Sequence, residues 1–203
     1  MTPLPPHGPL RRRSVLRALG VAASRLALPG LWTAGLGAAA SAVAAEAELA
    51  PFEVSREEDG VFLNYAVDFE LGKGPEDALL KAVPLFFVAE TEIFRDRWYW
   101  RDRRVAHTVR VWKIVLQPLT STYRVTTVGG LGQNYPTRAE AIAAISRSTR
   151  WKIAEPGQLE DGAHHYLEFN YRLDTSLLPR PMQIGISGQP DWALQVKRTQ
   201  RIN

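Results

Sequence analysis

Leu85-Phe86-Phe87-Val88-Ala89-Glu90-Thr91-Glu92-Ile93-Phe94 is the run that decides the fold. Leu85, Phe87, Ala89, Thr91 and Ile93 fall on one side of a period-two pattern, with Phe86, Val88, Glu90, Glu92 and Phe94 on the other. Successive side chains of a strand point to opposite faces, so this spacing predicts a β-strand and not a helix. Its first half is apolar on both sides, and its second half carries two glutamates on one side. The strand is expected to begin buried on both faces and to emerge into solvent further along.

Downstream, residues 105–117 alternate again, Pro118-Leu119-Thr120-Ser121 reads as a turn, and 122–128 returns. With 84–94, which a charged, aromatic tip over 95–104 joins to 105–117, these segments form an antiparallel meander. Upstream, Val61, Leu63, Tyr65, Val67 and Phe69 alternate with Phe62, Asn64, Ala66 and Asp68, and Glu58-Asp59-Gly60 joins them to 52–56 as a hairpin. Gly72-Lys73-Gly74 ends that strand. Pro75, Glu76 and Asp77 suit a helix start, giving a short helix over 75–82. Residues 129–136 read as a flexible loop. Thr137 and Glu140 have capping-box spacing before a helix over 138–148, marked by Ala141, Ile142 and Ile145. A short strand at 151–153 follows. His165, Leu167, Phe169, Tyr171 and Leu173 then line one strand face, Pro179 and Pro181 break the chain, and weak strands are expected near 183–187 and 192–197. The class is α+β, mainly an antiparallel sheet or sandwich of seven to nine strands with two short helices.

The first 45 residues read as an address. Arg11-Arg12-Arg13-Ser14-Val15-Leu16-Arg17 is a cationic head, followed by an almost uncharged Ala/Leu/Gly run ending in Ala42-Val43-Ala44-Ala45. That order is an export signal with cleavage after Ala44 or Ala45. Arg12, Arg13 and Leu16 resemble the twin-arginine translocation pattern, with an ordinary secretory signal as the alternative. Residues 26–45 lack charge over a bilayer-spanning length, but Pro29, Gly30, Gly35 and Gly37 make them weakly apolar, and a retained anchor is the less favoured reading. The segment holds five arginines and no acidic residue, so the chain's net +4 is confined to it. Residues 46–203 carry 20 basic and 21 acidic side chains. The basic balance that would suggest nucleic acid therefore belongs to the leader, and a periplasmic location is expected for one globular domain over 46–203. With no cysteine anywhere, its stability rests on packing.

No reaction centre is legible. His164 and His165 are adjacent on a strand and point to opposite faces, and His107 alone does not complete a zinc set. Gly72-Lys73-Gly74 lacks the phosphate-loop spacing, Gly129-Gly130-Leu131-Gly132 lacks the dinucleotide register, and Gly185-Ile186-Ser187-Gly188 is not a nucleophile elbow. Asp174 and Asp191, beside Arg172, are the carboxylates an enzyme would use. No metal or cofactor is expected. The stretch that resists a bland account is Arg97-Trp98-Tyr99-Trp100-Arg101, framed by further arginines and by Asp96 and Asp102. On a strand, Trp98 and Trp100 would share one face, and Arg97, Tyr99 and Arg101 the other. One reading is a hairpin whose tryptophans cap the core while its arginines pair with Asp96, Asp102, Glu90 or Glu92. The other is a binding surface, since Arg and aromatic side chains dominate contact hot spots.

Ala78-Leu79 with Val83-Pro84-Leu85, Arg97-Trp98-Tyr99-Trp100, Leu119-Thr120 with Tyr123-Arg124-Val125, Ala139-Glu140-Ala141, the run from Arg172 to Pro181, and Asp191-Trp192 together resemble a family. It is DUF4390, a domain of unknown function in exported betaproteobacterial proteins. The resemblance spans about residues 50–192 and implies an exported, non-catalytic domain with an accessory role beside a membrane sensor kinase of the nitrogen-regulation type. It assigns no site residues. The expected function is a periplasmic accessory or protein-binding module with an envelope protein partner, no nucleic acid, and membrane contact only through an uncleaved signal. A carrier of a small apolar ligand is the alternative.

Overall fold

The hairpin expected around Glu58-Asp59-Gly60 forms between β1 (Ala47–Glu57) and β2 (Gly60–Phe69), in a computed structural model that describes residues 47–99, 101–186 and 188–202. The alternating set Val61, Leu63, Tyr65, Val67 and Phe69 is buried, as its spacing requires. Phe62, on the opposite face, is buried as well, because the Arg150 guanidinium lies 4.5 Å from its ring centroid. Arg150 reaches it from a left-handed backbone position, φ 46°, and also bonds the Glu57 carboxylate at 2.9 Å.

The run quoted first is β3 (Leu85–Arg95), antiparallel to β4 (Arg103–Gln117), which pairs with β5 (Thr122–Thr127). This is the predicted meander. Its sheet extends through β6 (Gly132–Tyr135) on one side and through β8 (His165–Leu173) and β9 (Gln195–Ile202) on the other, in the order β6-β5-β4-β3-β8-β9. A second sheet, β1-β2-β7, is completed by β7 (Arg147–Ala154). The inner faces of the two sheets meet over an aromatic core. Tyr65 of β2 lies 4.8 Å from Phe169 of β8, 6.0 Å from Trp151 of β7 and 6.4 Å from Tyr171 of β8, ring centre to ring centre. The Tyr65 hydroxyl finds no hydrogen-bond partner there. A buried hydroxyl loses water without compensation, so Y65F is expected to be neutral or stabilising by about 1 kcal/mol in urea unfolding.

Among the described residues three α-helices flank the sheets, one more than the sequence suggests. Helix α1 (Lys73–Leu80) starts two residues earlier than expected. Gly72 and Gly74 permit its close docking: a β-carbon on Gly74 would stand 2.4 Å from Trp192 Nε1, and one on Gly72 would stand 2.4 Å from the Asp191 carbonyl oxygen. Helix α2 (Arg138–Ser146) is capped as the sequence implies, the Glu140 N–H donating to Thr137 Oγ1 at 3.2 Å. It ends two residues early because Arg147 and Ser148 already pair with β2. Helix α3 (Arg180–Ile186) replaces the strand expected at 183–187. Pro181 is tolerated in a first helical turn, and the Gln183 amide donates to the carbonyls of Ser176 and Leu178, both at 2.7 Å. The last strand runs later than the expected 192–197, because residues 190–192 form a short 3-10 turn that buries Trp192. Residues 132–135, read as flexible loop, are held as strand β6 by the free edge of β5.

Candidate functional site

The tip expected between the two strands lies between β3 and β4, where residues 96–99 and 101–102 belong to no strand, so the facing that the Arg/aromatic alternation would have on a strand does not apply. Its two ends are tied. The Asp96 N–H donates to the His164 carbonyl at 2.9 Å, and Arg95 pairs with Glu160 at 2.6 Å. On the other side Asp102 joins two elements: one carboxylate oxygen accepts the Arg97 N–H at 3.2 Å, the other accepts the Tyr166 hydroxyl at 2.8 Å. Tyr166 itself stacks on Phe94, centroids 5.3 Å apart and planes 20° apart. Burial first, and then the bond to Asp102, push the Tyr166 phenol up to about 12, so it remains a donor at any ordinary pH.

From this braced base the aromatic pair projects. Trp98 is 92% exposed and Tyr99 73%, packed edge to face on each other at 4.7 Å. Trp98 therefore does not cap the core, which removes the bland reading for that residue. The bland reading does hold for Arg95 and for Arg104, which pairs with Glu92 at 2.5 Å. Among the described residues no carboxylate lies within ion-pair distance of the Arg97 or Arg101 side chains. Trp100 lies outside the described residues, as do the signal residues Arg12, Arg13, Leu16, Ala42 and Ala44. Beneath the pair is an open hollow of about 700 Å³ lined by Arg95, Asp96, Arg97, Trp98, Tyr99 and His164. Sequence reasoning missed Tyr166, Glu160 and His164 as parts of this site. Their only signal is the register of β8 on β3, which sets Tyr166 opposite Phe94 and His165 opposite Arg95.

The other candidates go to structural use. Glu90 accepts from Arg172 at 2.8 Å and bonds His107 at 2.9 Å, so that histidine is engaged by a carboxylate. Asp174 accepts the N–H and hydroxyl of Ser176 and caps a short turn. His164 faces the loop hollow while His165 is buried with its Nε2 unpartnered, as opposite strand faces demand. Leu85 and Phe87 are fully buried core residues, which accounts for their apolarity. Among the described residues no group of three His, Cys, Asp or Glu side chains converges as a metal site, and no helix is long and apolar enough to cross a membrane.

Two buried or paired groups give the fold a pH dependence. Burial first, then the charges of Arg95 and Arg56, hold the His165 imidazole below its ordinary value; the Ala163 carbonyl and Glu160 oppose this. The Arg172 bond first, then His107, hold the Glu90 carboxyl below its own. A histidine kept neutral by the fold costs stability once pH falls below the unfolded value of about 6.5. A depressed carboxylate contributes above its unfolded value of about 4.3 and loses that contribution as pH falls through its folded one. Both act in the same direction. Thermal unfolding should show Tm falling from pH 7.5 to 5.5 through His165 and again below pH 4.5 through Glu90, with H165Q flattening the first limb only.

The family model for a domain of unknown function (DUF4390) matches residues 44–202, nearly everything the structure describes. The chain belongs to this family. No curated protein and no solved structure matches it. The connection between β3 and β4 thus lies within the residues that the family model matches.

Proposed function

We propose that this DUF4390 protein is an exported, non-catalytic accessory module that recognises another component of the cell envelope through the β3–β4 tip. The observation that carries the reading is the exposure of Trp98 and Tyr99 on a loop braced by Asp102, Tyr166 and Glu160. A large ring in water is unfavourable, and a loop whose ends are already tied loses less backbone entropy on contact. The flanking Arg97 and Arg101 supply cations for that contact. R97A/R101A is expected to keep the parent Tm within about 2–4 °C, since surface changes of this kind sit within about 0.5 kcal/mol each. The same double variant should reduce, several-fold, the adducts formed in cells by a photo-crosslinking amino acid at position 99. Undiminished adducts, or no adducts from the parent, count against the reading.

A further inference from the structure

The chemistry of the tip also says which class of component it meets. A protein partner of ordinary affinity needs about 1,200–2,000 Å² of buried surface around an apolar centre. Here the large apolar exposure is two side chains at the end of a loop, and what surrounds them is charged. Along the chain from there, Val109 in the middle of β4 is 42% exposed and Leu119, at 101%, lies past the far end of that strand. A lipid headgroup layer has the complementary demands: Trp and Tyr partition into it by their amphipathic rings, and arginines meet its phosphates. Residues 95–104 contain five arginines against two aspartates, whereas the rest of residues 46–203 carries 15 basic against 19 acidic side chains; Arg95 and Arg104 are paired with Glu160 and Glu92, which leaves Arg97 and Arg101 beside the rings to meet an outside anion. Arg97 and His164 line the hollow under the rings, together with Asp96 and with Arg95, which Glu160 holds, so a headgroup phosphate meets donors there beside one carboxylate.

We propose that the tip engages the anionic surface of a phospholipid bilayer, with Trp98 and Tyr99 among the headgroups and Arg97 and Arg101 on their phosphates. This rests on the reading of the tip as the contact element. The contact is peripheral and reversible, as expected for two rings and a few cations without a covalent lipid.

The test is flotation of the purified full chain with vesicles of phosphatidylglycerol and phosphatidylcholine, beside vesicles of phosphatidylcholine alone. Each variant is compared in the same chain, so that any affinity of the amino-terminal segment is common to all. The parent should partition onto the anionic vesicles. W98S/Y99S should weaken that partition about tenfold or more, and R97Q/R101Q about fivefold per arginine. Raising salt from 0.1 to 1 M, which shortens the screening length from about 10 to about 3 Å, should weaken it further. Partition that is equal for parent and variants, equal on uncharged vesicles, or absent overturns the proposal. Photo-crosslinking from position 99 then separates the two failures. Protein adducts without vesicle binding leave the tip as a contact element for a protein and sink only the lipid assignment, whereas no adducts at all sink both.

Discussion

Replacing Phe169 by alanine should lower the unfolding free energy by about 3–5 kcal/mol, the range for emptying a buried aromatic site. Phe169 is 1% exposed and stands where the two sheets face each other. Its ring lies 5.3 Å from that of Phe52 in β1 and 4.8 Å from that of Tyr65 in β2, so it links β8 to both strands of the opposing hairpin. The neighbours are themselves large and held by register, so the cavity has little chance to collapse, and the upper half of the range applies. A domain of this size has a total of about 5–15 kcal/mol. Urea unfolding should show the midpoint falling by a third or more at unchanged slope. Trp98→Ala, which removes a larger ring from the same molecule, should leave the midpoint almost where it was. The contrast turns on burial, not ring size, and an equal loss in both would mean that the tip is packed in solution.

What the sequence discloses here is what neighbouring residues determine. The buried set of β2 was readable from Val61 to Phe69 because one face meets an apolar core and period two records it. The cap on α2 was readable because Thr137 and Glu140 are three residues apart and need nothing else. The failures are nonlocal. Strand β9, expected near 192–197 and found at Gln195–Ile202, contains one buried side chain, Val196, among Gln, Lys, Arg and Thr, so its extent depends on the free edge of β8 and not on its own composition. The short strand β6 depends in the same way on β5. Phe62 looked like a residue of the exposed face until Arg150, distant in sequence, covered it. Gly72 and Gly74 read as a turn, whereas the structure gives them steric work against Asp191 and Trp192.

The tip shows the same division. Its composition drew notice as Arg97-Trp98-Tyr99-Trp100-Arg101, but alternation could not orient it, because period two outside a strand carries no facing information. Its braces are long-range: Asp102 to Tyr166, Arg95 to Glu160, Asp96 to His164. None is visible until β3 and β8 are known to be neighbours. The sequence could therefore name the residues of a contact surface while leaving open whether they faced the core or the solvent.

The second large effect is expected at Gly60, where β1 turns into β2. Its φ is +140°, a backbone region that side chains of L-residues rarely adopt, and a β-carbon there would stand 2.5 Å from the Ala154 carbonyl oxygen of β7. Two costs add: the backbone strain, about 1–3 kcal/mol, and an overpacking term of about 1–3 kcal/mol. The Lys152 side chain, 2.8 Å from the same point, is flexible and can swing aside, but the Ala154 carbonyl is fixed by its place in the sheet. Gly60→Ala should therefore destabilise by about 2–6 kcal/mol and loosen the pairing of Val61 with Ala154. Gly157→Ala supplies the comparison, with φ +79° and open space where its β-carbon would go. It carries only the left-handed penalty, about 1–2 kcal/mol. If the two variants unfold at the same urea concentration, the close approach to Ala154 has no energetic weight, and the hairpin is free to shift against β7.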